Sequence, residues 1–399
     1  MAASRLESRD RGFVRLLVAT VLRRLGQIDA AILAMLDRPG ALRPEVQDVL
    51  RLGAAQLLFL GTPGHAAVDT TVTLAGTSVV TAPYKPLINA LMRRLAREGA
   101  TLVASQDEAW LNTPDWLWQS WQDAYGPEQA RAIALAHLQE PLLDLSVKVP
   151  AEATLWAERL GARLLVTGTL RSAGGGAIPD LPGFADGAWW VQDAAAALPA
   201  MLLGAQPGSL VYDLCAAPGG KTAQLAARGA RVVAVDRAGR RLARLTDNLA
   251  RLGLTAEAVT ADATAWQPDR PADAVLLDAP CSATGTIRRH PDIARLKEPA
   301  DVTKLAALQA RLLAQAVTLV RPGGTLVYTV CSLEPQEGEH QLAALLAAGA
   351  PVTLLPVTAP EIGGLSELIT PAGCVRTLPC HLAAEGGLDG FFMARLRRD

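Results

Sequence analysis

"SLVYDLCAAPGGKTAQLA" (209–226) is a short apolar run that breaks at a glycine-rich turn and continues as a helix-compatible stretch. Four further runs follow, "ARVVAVD" (230–236), "AEAVTAD" (256–262), "DAVLLDAPC" (273–281) and "GTLVYTVCS" (324–332), alternating with amphipathic stretches at 220–228, 237–252 and 303–321. Nearly continuous apolar strands separated by amphipathic helices predict an α/β, Rossmann-like, mostly parallel sheet covered on both faces. Ligands of such sheets sit at the carboxyl ends of the strands, where the unusual residues of this chain also fall.

Ahead of this region, residues 9–99 read as consecutive helices. Phe13, Leu16, Leu17, Val21, Leu25 and Ile28 recur at steps of three and four, as do Val46, Leu50, Ala54 and Leu57, and again Leu87, Leu91 and Leu95. Such stripes need one another, which predicts an all-α bundle with breaks at 38–44 and 61–65. Trp110, Trp116, Trp118 and Trp121 give a following helix a thick apolar side suited to packing. Short runs from 142 to 190, broken at "SAGGGAIP", suggest a small α+β connector. The expected organisation is a helical domain at 1–130, a connector at 131–200 and the α/β domain at 201–399.

Half of the 399 residues are apolar and 19% are charged, a globular composition of two or three domains rather than a disordered one. No apolar run approaches 18 residues and the first residues lack the apolar core of a secretory signal, so a soluble cytoplasmic protein is expected. Five cysteines without repetitive spacing do not form a disulfide framework, which leaves thiols available for chemistry. Cys374, Cys380 and His381 lack an accompanying CxxC pair, so no metal site is expected. The net charge of −1 conceals +5 in residues 1–100 and −7 in residues 101–200, making the front the better candidate to meet a polyanion. There Arg93, Arg94 and Arg97 form either a solvated face or an RNA-contacting one.

The turn after the first α/β strand carries Gly219 and Gly220, which allow close backbone approach to a ligand. A phosphate-cradling GxxxxGK[ST] loop would require glycine where Cys215 stands, and the dinucleotide fingerprint GxGxxG is absent. An S-adenosylmethionine site needs a close-approach turn and an acid for the ribose, and Asp236, ending the second strand, meets the second need. Asp262 ends the third strand where it would border an adenine ring, and Asp278 ends the fourth. Cys281 and Cys331 lie just past the fourth and fifth strands. Two thiols beside a methyl-donor site suit pyrimidine chemistry, because carbon-5 becomes nucleophilic only after a thiolate adds at carbon-6. Asp278 would stabilise the protonated ring, and a second thiol would assist release.

At "DLCAAPGGKT", "DAPCSATGTIRRHPDI", "YTVCSLEPQEGE" and "GLDGFFMARLRR" the chain resembles the Sun/RsmB type of RNA cytosine-5 methyltransferase, with a class I methyltransferase domain. "RDRGFVRLLVATVLRR", "LRLGAAQLLFLGTPGHAAVDTTV" and "LINALMRRLARE" resemble the NusB-like RNA-binding domain carried at the amino end of that group. The resemblance implies that Cys331 is the nucleophile and Cys281 the residue aiding release. It further implies that Cys215, Ala216, Ala217, Pro218, Gly219, Gly220, Lys221, Asp236, Asp262 and Asp278 surround S-adenosylmethionine and the target base. The implied substrate is a cytosine in 16S ribosomal RNA, unpaired or flipped out, handled by a cytoplasmic monomer without a membrane. Arg288, Arg289 and His290 would either approach the RNA backbone or be ordinary loop charges.

Three positions depart from the family pattern. Val330 stands where threonine precedes the nucleophile, Gly338 replaces the asparagine of "ENE" at 337–339, and Lys148 replaces an asparagine in the connector. Three rival readings are a DNA-type arrangement with Cys281 as nucleophile, activity on another RNA such as tRNA, and an inactive RNA-binding assembly factor.

Overall fold

The computed structural model describes residues 6–37, 42–174 and 176–399. It divides into two compact units, residues 1–139 with 290–296, and residues 140–289 with 297–399.

The first unit is helical: α1 (Ser8–Arg23), α2 (Leu25–Ala34), α3 (Pro44–Leu58), α4 (Gly64–Ala75), α5 (Lys85–Ala104), α6 (Glu108–Asn112), α7 (Asp115–Tyr125) and α8 (Pro127–His137). Its core gathers most of the expected stripes, with Ile28, Val46, Leu50, Ala54, Leu91 and Leu95 buried together and Leu57 and Leu87 partly buried against them. The first stripe holds only in part. Leu17 and Val21 pack on that core, whereas Phe13 and Leu16 are exposed. The chain bends at Arg24, so α1 and α2 do not share one continuous face. Of the predicted 38–44 break, residues 38–41 lie outside the described residues. α3 opens with Pro44, at a position where no N–H is required. Trp121 is buried and meets the His137 ring edge-on, as packing requires.

The second unit starts with a four-stranded antiparallel sheet of β1 (Leu143–Val147), β2 (Arg163–Leu164), β3 (Leu170–Ser172) and β4 (Trp189–Val191), in the order β2-β3-β1-β4, with α9 (Ala153–Arg159) beside it. α10 (Ala194–Leu202) follows. It runs through the expected 200/201 boundary because its apolar side, including Leu198 and Leu202, packs under the large sheet.

That sheet comprises β5 (Leu210–Leu214), β6 (Arg231–Asp236), β7 (Glu257–Thr260), β8 (Ala272–Asp278), β9 (Val320–Val330), β10 (Val352–Leu354), β11 (Val375–Thr377) and β12 (Phe391–Arg398). The order is β10-β12-β9-β8-β5-β6-β7, with β11 paired to β12. β5 to β9 are mutually parallel and the last three strands antiparallel. The connecting helices are α11 (Gly220–Ala227), α12 (Gly239–Leu252), α13 (Ile293–Leu296, in the first unit), α14 (Pro299–Leu319) and α15 (Glu339–Ala347). Alternate residues point to opposite faces. Leu214, Val275, Leu277 and Leu326 pack with Leu312 and Ala316 of α14, while Val211, Ala274, Leu276 and Val327 pack with Leu198 of α10. Strand order reverses between β5 and β8, which opens a crevice at their carboxyl ends. Among the described residues, no helix is long and apolar enough to cross a membrane.

Candidate active site

The turn after β5 folds tightly. Cys215 has φ 60°, the Ala217–Pro218 peptide is cis, and Gly219 has φ 102° before α11 begins. A Cβ on Gly219 would lie 2.6 Å from Leu245 Cγ, so only glycine lets this turn pack against α12. Asp236, the last residue of β6, accepts hydrogen bonds from the N–H groups of Ala217 (3.2 Å) and Ala238 (2.9 Å), tying the turn to the second strand. Asp262 lies two residues past β7 and accepts from the Thr264 N–H (2.9 Å) and hydroxyl (2.7 Å), which hold its carboxyl below the usual range. A crevice of about 510 Å³ is lined by Cys215, Asp236, Asp262 and Pro280, and faced by Lys304 and Arg311 of α14. Its size falls within the range of about 300–1,000 Å³ usual for small-ligand sites. Burial and the charges of Asp278, Asp236 and Asp213 push the Cys215 thiol up to about 12, so this cysteine stays protonated.

The other predicted residues gather beside the crevice at the ends of β8 and β9. Lys221 Nζ donates to Asp278 Oδ2 at 2.7 Å and lies 5.3 Å from the Phe391 ring centroid. Burial opposes the Lys221 charge, but Asp278 outweighs it and the lysine stays cationic. Asp278 itself remains about one-third exposed, with a 31% accessible side chain. Cys281 Sγ and Cys331 Sγ are 3.4 Å apart. The hydrogen bond that the Cys281 thiol donates to Cys331, burial, and the nearby negative charge raise the Cys281 pKa well above that of an ordinary thiol. The proton is therefore held on Cys281.

Sequence reasoning missed what surrounds these thiols. Glu337 is fully buried and accepts from the Ser282 N–H (2.9 Å), the Ser282 hydroxyl, the Ser332 hydroxyl (2.6 Å) and Gln309 Nε2 (3.0 Å). The signal available was its match to the first glutamate of the family's "ENE" at 337–339, which carried no role for it.

One expectation is corrected. Arg288 is only 2% exposed and is bound by Asp193 (2.6 Å) and Asp389 (2.6 Å), and Arg289 joins the same carboxylates. With Asp144 and Arg171, paired at 2.6 Å, they form a buried ionic network that holds connector and sheet together. Neither arginine is free to approach an RNA backbone. Lys148 is likewise engaged, donating to the Leu252 carbonyl (3.0 Å) at the end of α12. In the helical unit, Arg94 is held by the Met35 carbonyl and Asp37, whereas Arg93 and Arg97 line a crevice with His65 and Asn89.

Residues 200–397 match the family described as 16S rRNA methyltransferase RsmB/F, and residues 1–97 match the NusB family. The ribosomal RNA small subunit methyltransferase B of Pseudomonas putida is 38% identical over 420 residues, covering 98% of this chain and 91% of that protein. The chain belongs to the RsmB/F family of 16S rRNA methyltransferases. The RsmB/F fold extends to the crystal structure of PH0851, with a TM-score of 0.75 at 23% identity over 99% of this chain and 92% of that one. It extends also to a methyltransferase homolog protein from Pyrococcus horikoshii, with a TM-score of 0.59 at 25% identity over 77% of this chain and 98% of that one.

The methyl donor of an RsmB/F protein is S-adenosylmethionine. The glycine cradle at 219, the strand-end carboxylate of Asp236 and the adjoining crevice suit a small charged nucleoside. Two departures from the RsmB/F pattern have packing explanations. Val330 is fully buried in the core of the sheet, where an apolar side chain belongs. A Cβ at Gly338 would lie 2.9 Å from Phe392 Cγ and 2.8 Å from Arg376 Nη2, leaving no room for asparagine.

Proposed function

We propose that this protein transfers a methyl group from S-adenosylmethionine to carbon-5 of a cytosine in 16S ribosomal RNA through a transient bond between Cys331 and carbon-6. S-adenosylmethionine supplies an electrophilic methyl group on a sulfonium. Gly219 and Gly220 allow its close approach, Asp236 holds the ribose, and Asp262 borders the adenine. Ala216, Ala217 and Pro218 complete the turn.

Cys331 adds to carbon-6 as the thiolate, and carbon-5 gains the electron density it lacks in the free ring. Asp278, steadied by Lys221, meets ring N3 and the exocyclic amine and favours the addition. After methylation a solvent base takes the carbon-5 proton, the C–H electron pair restores the carbon-5–carbon-6 double bond and expels the Cys331 sulfur, and Cys281 assists that release by donating its proton to the departing sulfur. The observation that carries this reading is the 3.4 Å approach of two thiols at the carboxyl ends of neighbouring parallel strands, next to the crevice that suits the donor. Cys331 rather than Cys281 is assigned as nucleophile because the cysteine after the fifth strand has that role in the family pattern that "YTVCSLEPQEGE" matches.

The RNA substrate follows the name of the relatives; in the helical unit Arg93 and Arg97, which line a crevice together with Asp69, offer cations to a phosphate. The protein would act as a cytoplasmic monomer. The deciding measurement is transfer of labelled methyl to unmodified 16S RNA, with the product mapped by bisulfite sequencing. A new non-converting cytosine is expected. Methyl found on any other atom would overturn the assignment.

A further inference from the structure

Two cysteines from separate loops do not hold a fixed distance unless something fixes both loops. Each thiol is followed by a serine, Ser282 after Cys281 and Ser332 after Cys331, and both serines converge on the Glu337 carboxylate. The same carboxylate accepts the Ser282 N–H at 2.9 Å and Gln309 Nε2 at 3.0 Å, and Gln309 Nε2 also donates to the Pro280 carbonyl at 2.9 Å. One fully buried side chain thereby ties the loop after β8, the loop after β9 and helix α14 together. Its own backbone is fixed in turn, since the Glu337 carbonyl accepts the Tyr328 hydroxyl from β9. Direct ties between the loops add to this: Gly285 N–H to the Cys331 carbonyl (3.1 Å), Leu333 N–H to Thr284 Oγ1 (3.0 Å), and the Ser332 hydroxyl with those of Ser282 (3.1 Å) and Thr284 (3.4 Å).

We infer that Glu337 is the positioning residue of the thiol pair, setting the separation of the two sulfurs through Ser282 and Ser332. It touches neither sulfur by hydrogen bond and acts through the residues next to them. An acceptor-only group is required, because a backbone N–H, an amide and two hydroxyls all converge on it. Its negative charge also contributes to holding the proton on Cys281. The inference rests on the thiol chemistry proposed above, so its test must not depend on turnover alone.

The test compares wild type with Glu337→Ala and Glu337→Gln in the full-length protein. The first readout is the rate at which dibromobimane bridges Cys281 and Cys331, located by peptide mass spectrometry. Bridging in Glu337→Ala is expected to be several-fold slower, with partial recovery in Glu337→Gln, whose amide oxygen still accepts from two donors. The second readout is methyl transfer. kcat should fall about 100-fold in Glu337→Ala through misplacement of the thiols, while KM for RNA and affinity for S-adenosylmethionine change little. Should Glu337→Ala not fold, Ser332→Ala removes one arm of the clamp and is expected to slow bridging in the same direction. Bridging as fast in these variants as in wild type would overturn the inference. A Cys331→Ala protein with normal methyl transfer would instead overturn the covalent reading and leave the bridging result to judge the clamp.

Discussion

Cys281 Sγ lies 3.4 Å from Cys331 Sγ, although 50 residues separate them in the chain. β8 and β9 are adjacent and parallel, with Asp278 opposite Thr329, so their following loops leave the sheet side by side. Replacing Cys331 with alanine should lower methyl transfer by at least about a thousandfold, as removal of a nucleophile does. Cys281→Ala should instead accumulate a covalent protein–RNA complex, visible as a retarded band under denaturing conditions. A peptide map placing that bond on position 281 in the wild type would reverse the two roles.

Arg288 carries a second prediction. It is buried between Asp193 and Asp389, so Arg288→Ala leaves both carboxylates without that cation. A loss of about 3–5 kcal/mol is expected in denaturant unfolding, the range for breaking a buried ion pair. RNA affinity of the folded fraction should keep the same salt dependence, since no phosphate contact is removed. A shallower salt slope would return Arg288 to the RNA surface.

A third prediction concerns pH. Asp213 is fully buried, with one oxygen bound to the Thr222 hydroxyl at 2.6 Å, and burial raises its pKa from an ordinary 3.8 to about 7. The folded protein holds a proton there that the unfolded chain has released. Stability from this group is therefore complete below about pH 4 and is lost as pH rises through 7, by up to a few kcal/mol. Asp213→Asn, which keeps an acceptor for Thr222, should flatten this part of the stability profile between pH 4 and 7. Unfolding curves of the two proteins that stay parallel across that window would refute the assignment.

Gly219 provides the fourth. Alanine there must adopt φ 102° and bring its Cβ within 2.6 Å of Leu245 Cγ. The expected destabilisation is about 1–3 kcal/mol. Because the turn that receives the donor would shift as well, calorimetry should show weaker binding of S-adenosylmethionine. Unchanged affinity would mean that this turn does not approach the ligand.

Much of the architecture is legible because it is local. Apolar runs such as 230–236 and 273–281 announce strands by themselves, and Asp236 and Asp278 are the last residues of β6 and β8, at the edge where ligands bind. Arg288 was misread because nothing near it in the chain gives away its burial. Its partners, Asp193 and Asp389, stand 95 and 101 residues away on either side. The inward reading of Phe13 and Leu16 failed for a related reason. A helical stripe identifies an apolar face but not how far along the helix its neighbours reach.

The sequence alone determined the succession of the five parallel strands and the helices between them, the glycine turn and the placing of acids and thiols at strand ends, since each depends on residues within a few positions of one another. Only the tertiary structure decided that the two sulfurs meet, that Glu337 joins their loops, and that Arg288 is an internal counter-ion. Those facts depend on which distant segments become neighbours and on which side chains lose water, and both follow from the packing of the whole sheet.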